Sequence, residues 1–205
     1  MDPLDSARAC AIVRAFLAIP LTAAVINEIQ KVQHALQRGL PADYVRWTRL
    51  DQLHLTLRFF GNLATEDLAN AEAATQEACA GFAEFQLKAE GVGLFPNPRA
   101  PRIVWVAITG AVASLKTLHG AIQERTRHWG EPPEAREFQP HLTIGRIKRP
   151  NLRDAETLSQ RGREWCGQRL GEWRVDRVEL MRSVLLPQGS THSVLATARL
   201  DAQRT

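Results

Sequence analysis

The chain has 205 residues, of which 44% are hydrophobic and 23% charged, and its formal net charge at pH 7 is +4. This composition is ordinary for a folded globular protein, and the chain is long enough to bury a full core. The basic balance is compatible with an anionic partner such as RNA but does not establish one. The three cysteines are odd in number and widely spaced, which argues against a disulfide framework and favours small core residues in a reducing compartment: Cys10, Cys79 and Cys166.

The N-terminal region contains an apolar stretch at 9–26 that we interpret as part of the folded domain. Arg14 and Pro20 interrupt it, and two acidic residues, Asp2 and Asp5, precede it. It is therefore too short and too broken for a membrane span, and it does not have the pattern of a signal peptide. We expect a cytoplasmic protein that does not contact a membrane.

Hydrophobic periodicity predicts strands and helices in alternation along the chain. A first strand at 14–19 is followed by an amphipathic helix at 21–37, which Gly39 and Pro41 end. A helix at 65–80 has Thr65 as a candidate N-cap. The remaining predictions are strands at 53–60, 84–91, 102–108, 141–148, 173–186 and 193–200, and helices at 114–128 and 152–166.

The tetrapeptide His-Leu-Thr-aliphatic occurs twice, as His54-Leu55-Thr56-Leu57 and as His141-Leu142-Thr143-Ile144. For this composition we expect two copies by chance in only about one random shuffle in ten thousand. Both copies fall in predicted strands, where residues i and i+2 point to the same face. Each copy therefore pairs an imidazole with a hydroxyl on one face and places aliphatic anchors on the other.

The two motifs also divide the predicted elements into similar halves. Each half has a helix, a His-containing strand, a second helix and two further strands. Such a repeat predicts one bilobal α+β domain over 1–205, with 1–12 and 201–205 as flexible termini. The lobes would be related by a pseudo-twofold axis, with largely antiparallel sheets around a central groove and helices outside.

Two facing imidazole and hydroxyl pairs would supply an acid, a base and two hydroxyls that bind oxygen. This set suits hydrolysis of a phosphodiester, in which one oxygen attacks as another leaves. A single histidine on a strand is more often structural, but the duplication favours catalysis. A metal site is the other interpretation, and the absence of His-x-His, Cys-x-x-Cys and His-Glu-x-x-His disfavours it. We expect no metal and no cofactor.

At these residues the chain resembles the 2H phosphoesterase superfamily, specifically its RNA 2′,3′-cyclic phosphodiesterases, historically called 2′-5′ RNA ligases. The two HXTX motifs carry the resemblance, together with their contexts Leu53 to Gly61 and Phe138 to Arg146. It extends over nearly the whole chain and also includes segments 14–19, 93–96, 101–105 and 180–185.

The resemblance implies a metal-independent enzyme that opens the 2′,3′-cyclic phosphate at an RNA or nucleotide terminus to leave a 2′-phosphate. We expect the protein to be a monomer. It implies that His54 is the proton donor and His141 the proton acceptor, while Thr56 and Thr143 hold the non-bridging oxygens. The residue types by themselves permit the reverse assignment of the two histidines. Ligation to a 2′-5′ linkage would be the reverse reaction, with a 5′-hydroxyl in place of water.

Four further residues are candidates for binding substrate. Arg146 would face away from His141 in a regular strand, but Gly145 favours a bulge that turns it toward phosphate. Arg58, four residues after His54, is expected to share its face and extend the anion site. Phe16 and Trp105 are the best candidates for stacking on a base, with core burial as the other interpretation.

The chain departs from the family near its C-terminus, where Gly189-Ser190-Thr191-His192 stands in place of a glycine followed by an aromatic residue. We interpret His192 as an exposed loop residue rather than a substituted stacking residue. Two other functions remain open. One is a nucleotide- or RNA-binding module of the same fold without catalysis, and the other is a phosphodiesterase for a different small cyclic phosphate.

Overall fold

The computed structural model describes residues 11–132, 136–186 and 189–202. These residues form nine strands and four α-helices. The strands are β1 (Ile12–Pro20), β2 (Val45–Trp47), β3 (His54–Ala64), β4 (Phe85–Phe95), β5 (Ile103–Gly110), β6 (His141–Ile147), β7 (Arg169–Val175), β8 (Arg177–Leu186) and β9 (Gly189–Arg199). The helices are α1 (Ala23–Gln37), α2 (Leu68–Cys79), α3 (Val112–Thr126) and α4 (Leu152–Glu164).

The strands form two sheets, and every strand pair within them is antiparallel. One sheet has the order β3-β1-β8-β9, and the other has the order β2-β6-β5-β4-β7. If the short β2 is left out, each sheet has its histidine-containing strand at one edge: β3 in the first sheet and β6 in the second. The expected α+β architecture with two related antiparallel sheets is therefore confirmed.

Each sheet takes strands from both ends of the chain, so the two halves of the sequence do not fold as separate units. β8 and β9 join β1 in the first sheet, while β7 joins β4 in the second. The helices divide in the same way: α1 and α4 pack on the second sheet, and α2 and α3 on the first. The aliphatic residues of both motifs, Leu55, Leu57, Leu142 and Ile144, are buried in the core. No helix among the described residues is long and apolar enough to span a membrane.

Several local expectations are corrected. The predicted strand at 173–186 is two strands, because the chain passes from the second sheet to the first at Asp176: β7 pairs with β4, and β8 pairs with β1 and β9. Thr65 does not cap a helix; its hydroxyl donates to the carbonyl of Ala11 at 2.6 Å. Cys166 is exposed, whereas Cys79 is buried as expected. Cys10 lies outside the described residues.

The expected flexible termini fall partly within the ordered fold. Ile12 begins β1, and Asp201 forms a parallel bridge with Ala83. Residues 1–10 and 203–205 lie outside the described part of the chain.

Candidate active site

The first motif lies on the edge strand β3, which pairs with β1. His54 is opposite Pro20, and Thr56 is opposite Ala18. Directly paired residues of an antiparallel sheet share a face, so the imidazole and the hydroxyl lie on one side while Leu55 enters the core. We call this side, and the equivalent side of the second sheet, the imidazole face.

A bulge at Leu57, the last residue of the first motif, changes which side of the strand the following residues face. Leu17 is opposite Arg58 and Ala18 is opposite Thr56, so Leu57 has no direct partner. Arg58 therefore points to the core side with Leu17 and is only 2% exposed. The expectation that Arg58 shares the face of His54 is wrong, and an anion bound on the imidazole face does not meet it.

Arg58 instead ties β3 to the segment that follows α3. Its guanidinium donates to the carbonyls of Trp129 at 3.2 Å and Glu131 at 2.7 Å. It also lies over the ring of Phe60, 5.3 Å from the centroid. These contacts pair one guanidinium nitrogen with two oxygen acceptors and the cation with a ring face, while Nε is buried without a hydrogen-bond partner among the described residues. They give Arg58 a structural role.

Two rings surround His54 on the imidazole face. Phe16 stacks on it with ring centroids 4.7 Å apart, and His192 meets it edge-on at 5.4 Å. Phe16 is only 3% exposed and also contacts His192 at 5.0 Å, so its ring is not open to a base. Phe16 therefore supports the imidazole rather than stacking on substrate.

His192 is a site residue that the sequence interpretation missed. It lies in β9 opposite Ser183, and its Nδ1 is buried without a hydrogen-bond partner among the described residues. The interpretation of His192 as exposed loop is wrong, because β9 begins at Gly189, four residues before the strand predicted at 193–200, and so includes His192. The hairpin of β8 and β9 sets the imidazole of His192 against that of His54.

The pKa of His54 is lowered from 6.5 to about 4; burial is the largest cause, and the charge of the neighbouring His192 acts in the same direction. A hydrogen bond with the main chain of Gln52 opposes the shift. The pKa of His192 is also lowered by burial, and Asp51 opposes that shift. In the free protein His54 is therefore neutral at pH 7.

Replacing His192 with asparagine is expected to raise the pKa of His54. A neutral amide removes the like charge that disfavours the imidazolium, while the burial remains, so the pKa should rise only part of the way from about 4 to 6.5. A proton NMR titration of the His54 ring measures this. The exposed His128 provides the matched control, since His128→Asn should leave the His54 titration unchanged. An unchanged His54 pKa in the His192 variant would contradict the coupling.

The second motif lies on β6, where His141 is opposite Ala107 and Thr143 is opposite Trp105. Ile144 has no direct partner, because Gly145 is opposite Val104 and Arg146 is opposite Ile103. This bulge turns the exposed Arg146 onto the imidazole face with His141 and Thr143, as the glycine predicted.

Both histidines are hydrogen-bonded to the residue two positions earlier, and in both cases that residue is a glutamine. Nδ1 of His141 lies 2.8 Å from the carbonyl oxygen of Gln139, and His54 bonds the main chain of Gln52. A carbonyl only accepts, so Nδ1 of His141 carries the proton and the lone pair of the neutral ring is on Nε2. The repeat is thus Gln-x-His-Leu-Thr, and this longer pattern could have been found in the sequence.

A cavity of about 280 Å³ opens beside His141. Phe95, Trp105 and Phe138 line it with the imidazole. Trp105 stacks on Phe95 with centroids 5.0 Å apart, and its ring lies 6.3 Å from that of His141. The structure therefore brings Trp105 to the imidazole face with the second motif.

Hydrogen bonds from the segment between β2 and β3 connect the two motifs. The Thr48 hydroxyl donates to the carbonyl of Thr143 at 2.9 Å, and the Thr48 amide donates to that of Ile144 at 2.9 Å. The buried Gln33 donates to the carbonyls of both Thr48 and Ile144. Thr48 is only six residues from His54, and β3 and β6 contact each other. The two histidine strands are thus held next to one another.

A second connection runs through α3. Gln123 donates to the carbonyl of the bulged Leu57 at 3.2 Å and lies 3.0 Å from Nε2 of His119. His119 stacks on Phe138, with centroids 3.8 Å apart, just before the second motif. Within the described residues no group of three or more His, Cys, Asp or Glu side chains is placed to hold a metal ion.

Comparisons with known proteins agree with this arrangement. The family model of the 2′-5′ RNA ligase superfamily matches residues 20–185. The chain is 33% identical over 189 residues to the RNA 2′,3′-cyclic phosphodiesterase of Methanothermobacter thermautotrophicus, covering 92% of this chain and 99% of that relative. It is 32% identical over 166 residues to the protein of the same name from Archaeoglobus fulgidus, covering 81% and 90%.

The fold is similar to a crystal structure of a Thermus thermophilus protein, with a TM-score of 0.75 and 27% identity, covering 93% of this chain and 100% of that one. The sequence and the fold therefore agree on the relationship that the two motifs suggested. The chain belongs to the 2′-5′ RNA ligase superfamily.

Proposed function

We propose that the protein hydrolyses the 2′,3′-cyclic phosphate at an RNA or nucleotide terminus to a 2′-phosphate, without a metal ion. The observation that carries this proposal is the placement of an imidazole and a hydroxyl at equivalent positions of two related sheets, on adjoining strands. The curated relatives from M. thermautotrophicus and A. fulgidus, both named RNA 2′,3′-cyclic phosphodiesterase, support the same reaction.

In the proposed reaction His141 is the proton acceptor. Its Nδ1 proton is held by the carbonyl of Gln139, so Nε2 is the nitrogen that takes a proton from water. The water oxygen forms a bond to phosphorus as the bond from phosphorus to the 3′-oxygen breaks. His54 gives a proton to the departing 3′-oxygen, which leaves a 3′-hydroxyl and a 2′-phosphate.

His54 acquires its proton with the substrate. Its pKa of about 4 makes it neutral in the free protein at pH 7. A bound phosphodiester carries a negative charge, and an opposite charge a few ångströms away raises the pKa of an imidazole. The anionic substrate therefore raises the pKa of His54, so that this histidine is protonated when it must give a proton to the leaving group.

The other groups of the imidazole face bind the substrate. The hydroxyls of Thr56 and Thr143 donate hydrogen bonds to the non-bridging oxygens as negative charge develops there. Arg146, next along the face from Thr143, adds a guanidinium that binds a phosphate of the RNA backbone. Trp105 and the cavity beside His141 accept the base of the terminal nucleotide. All these groups belong to one chain, so we propose that the monomer is active. We also propose that the protein acts in the cytoplasm.

Turnover of a short oligoribonucleotide ending in a 2′,3′-cyclic phosphate is expected to persist in excess EDTA. The two imidazoles supply the acid and the base, so chelation removes nothing that the reaction needs. The product is identified by ³¹P NMR, and the expected species is the 2′-phosphate alone. A heat-inactivated sample measures the background.

Each other outcome has a definite meaning. Complete loss of turnover in EDTA would contradict the metal-free mechanism, and a 3′-phosphate product would contradict the assigned leaving group. Binding of the oligonucleotide without any product would show a binding module instead of an enzyme. Turnover of a small cyclic nucleotide with no turnover of RNA would mean that the protein is a phosphodiesterase for a different cyclic phosphate.

A further inference from the structure

Arg146 has a second arginine directly opposite it. The short strand β2 pairs with β6 so that Arg46 is opposite Arg146, with Val45 and Trp47 opposite Ile147 and Gly145. A Cβ at Gly145 would lie 2.7 Å from Val45 and 3.0 Å from Trp47, so these two side chains project on the face away from the arginines. Arg46 and Arg146 therefore both project from the imidazole face.

Both arginines are exposed, and neither forms an ion pair with a carboxylate of the described residues. Like charges directly opposite each other across an antiparallel pair destabilise a sheet. An anion bound between the two guanidiniums removes that repulsion. Phosphate suits this position because guanidinium groups bind its oxygens through parallel hydrogen bonds.

The position of the pair along β6 identifies which phosphate it meets. On the imidazole face of β6 the groups follow the order His141, Thr143, Arg146, so the two arginines lie one step, about 7 Å, beyond Thr143. His141 and Thr143 already take the reacting phosphate in the proposed function. The next phosphate of an RNA chain would then lie against the two arginines.

We infer that Arg46, together with Arg146, binds the internucleotide phosphate on the 5′ side of the terminal nucleotide, and so favours RNA over a mononucleotide. This inference rests on the proposed function and assigns a substrate class to the same active site. A 2′,3′-cyclic mononucleotide has no second phosphate and makes no contact with Arg46. Arg46 is then a specificity-determining residue for the polymer.

Replacing Arg46 with alanine is expected to raise the KM for a trinucleotide ending in a 2′,3′-cyclic phosphate about tenfold at low salt, with kcat little changed. The lost phosphate contact should also reduce the slope of log(kcat/KM) against log[salt] by about one. The KM for 2′,3′-cyclic CMP should stay the same, and this second substrate reports whether the variant is folded. Arg46→Lys keeps the charge and should retain part of the preference for the trinucleotide.

The matched control is Arg153→Ala, which removes the same charge from the exposed surface of α4, on the helical side of the second sheet. It should behave as wild type on both substrates. An equal loss on the trinucleotide and on 2′,3′-cyclic CMP in Arg46→Ala, or no loss on either, would overturn the second phosphate site. If the wild-type protein turns over neither substrate, the proposed function itself fails.

Discussion

Replacing His141 with alanine is expected to slow hydrolysis of the cyclic phosphate by at least about a hundredfold. The substitution removes the nitrogen that takes the proton from water, and none of the neighbouring rings can replace it. Phe95 and Trp105 have no basic nitrogen, although their rings lie 5.8 Å and 6.3 Å from the imidazole. Single-turnover rates with saturating enzyme measure the chemical step apart from binding.

The control for His141 is His128→Ala, which removes an exposed imidazole that belongs to neither motif. It should retain the wild-type rate. Substrate binding by the His141 variant, measured separately, should be nearly unchanged, because the arginine and the two threonines remain. Turnover close to that of wild type in His141→Ala would mean that the second motif is not the base.

The sequence could predict the site wherever local geometry decides it. Strand periodicity put His54 with Thr56 and His141 with Thr143 on one face, and the structure agrees because no bulge lies within either tripeptide. Gly145 marked the bulge that turns Arg146, since a residue without a side chain is the local signal of a close approach. These features depend on a few neighbouring residues only.

The prediction for Arg58 failed because its bulge has no comparable signal. The bulged residue is Leu57, an ordinary strand residue, and its position is set by pairing with Leu17 and Ala18 about forty residues away. At the bulge, Gln123 of α3 donates a hydrogen bond to the carbonyl of Leu57. Register that depends on such distant partners cannot be taken from the strand's own residues.

His192 was missed for a similar reason. Its segment, Gly189-Ser190-Thr191-His192, has the composition of a turn, and turn composition is what local rules use. The segment is a strand because β8 pairs on its other side with β1, which makes the hairpin part of a four-stranded sheet. The same long-range pairing brings His192 to His54.

Replacing His54 with alanine is expected to reduce hydrolysis of the normal substrate by at least about a hundredfold, and to matter much less when the leaving oxygen is replaced by sulfur. In a cyclic phosphorothiolate with sulfur at the 3′ position, the leaving group is a thiolate. A thiol has a pKa of about 8.5, so its anion departs without needing a proton. His141→Ala should hydrolyse the sulfur-containing substrate with the same loss of rate that it shows on the normal substrate, because water must still be deprotonated.

The comparison of the two variants on the two substrates decides which histidine is the acid, a question that the free protein leaves open. His54 has the lowered pKa that would also suit a base, and only the charge of the bound phosphodiester makes it a donor in the proposed reaction. If the sulfur-containing substrate restores the rate of hydrolysis in His54→Ala, His54 is the proton donor and the variant is folded. If sulfur restores His141→Ala instead, the roles are reversed: His54 takes the proton from water and His141 protonates the 3′-oxygen.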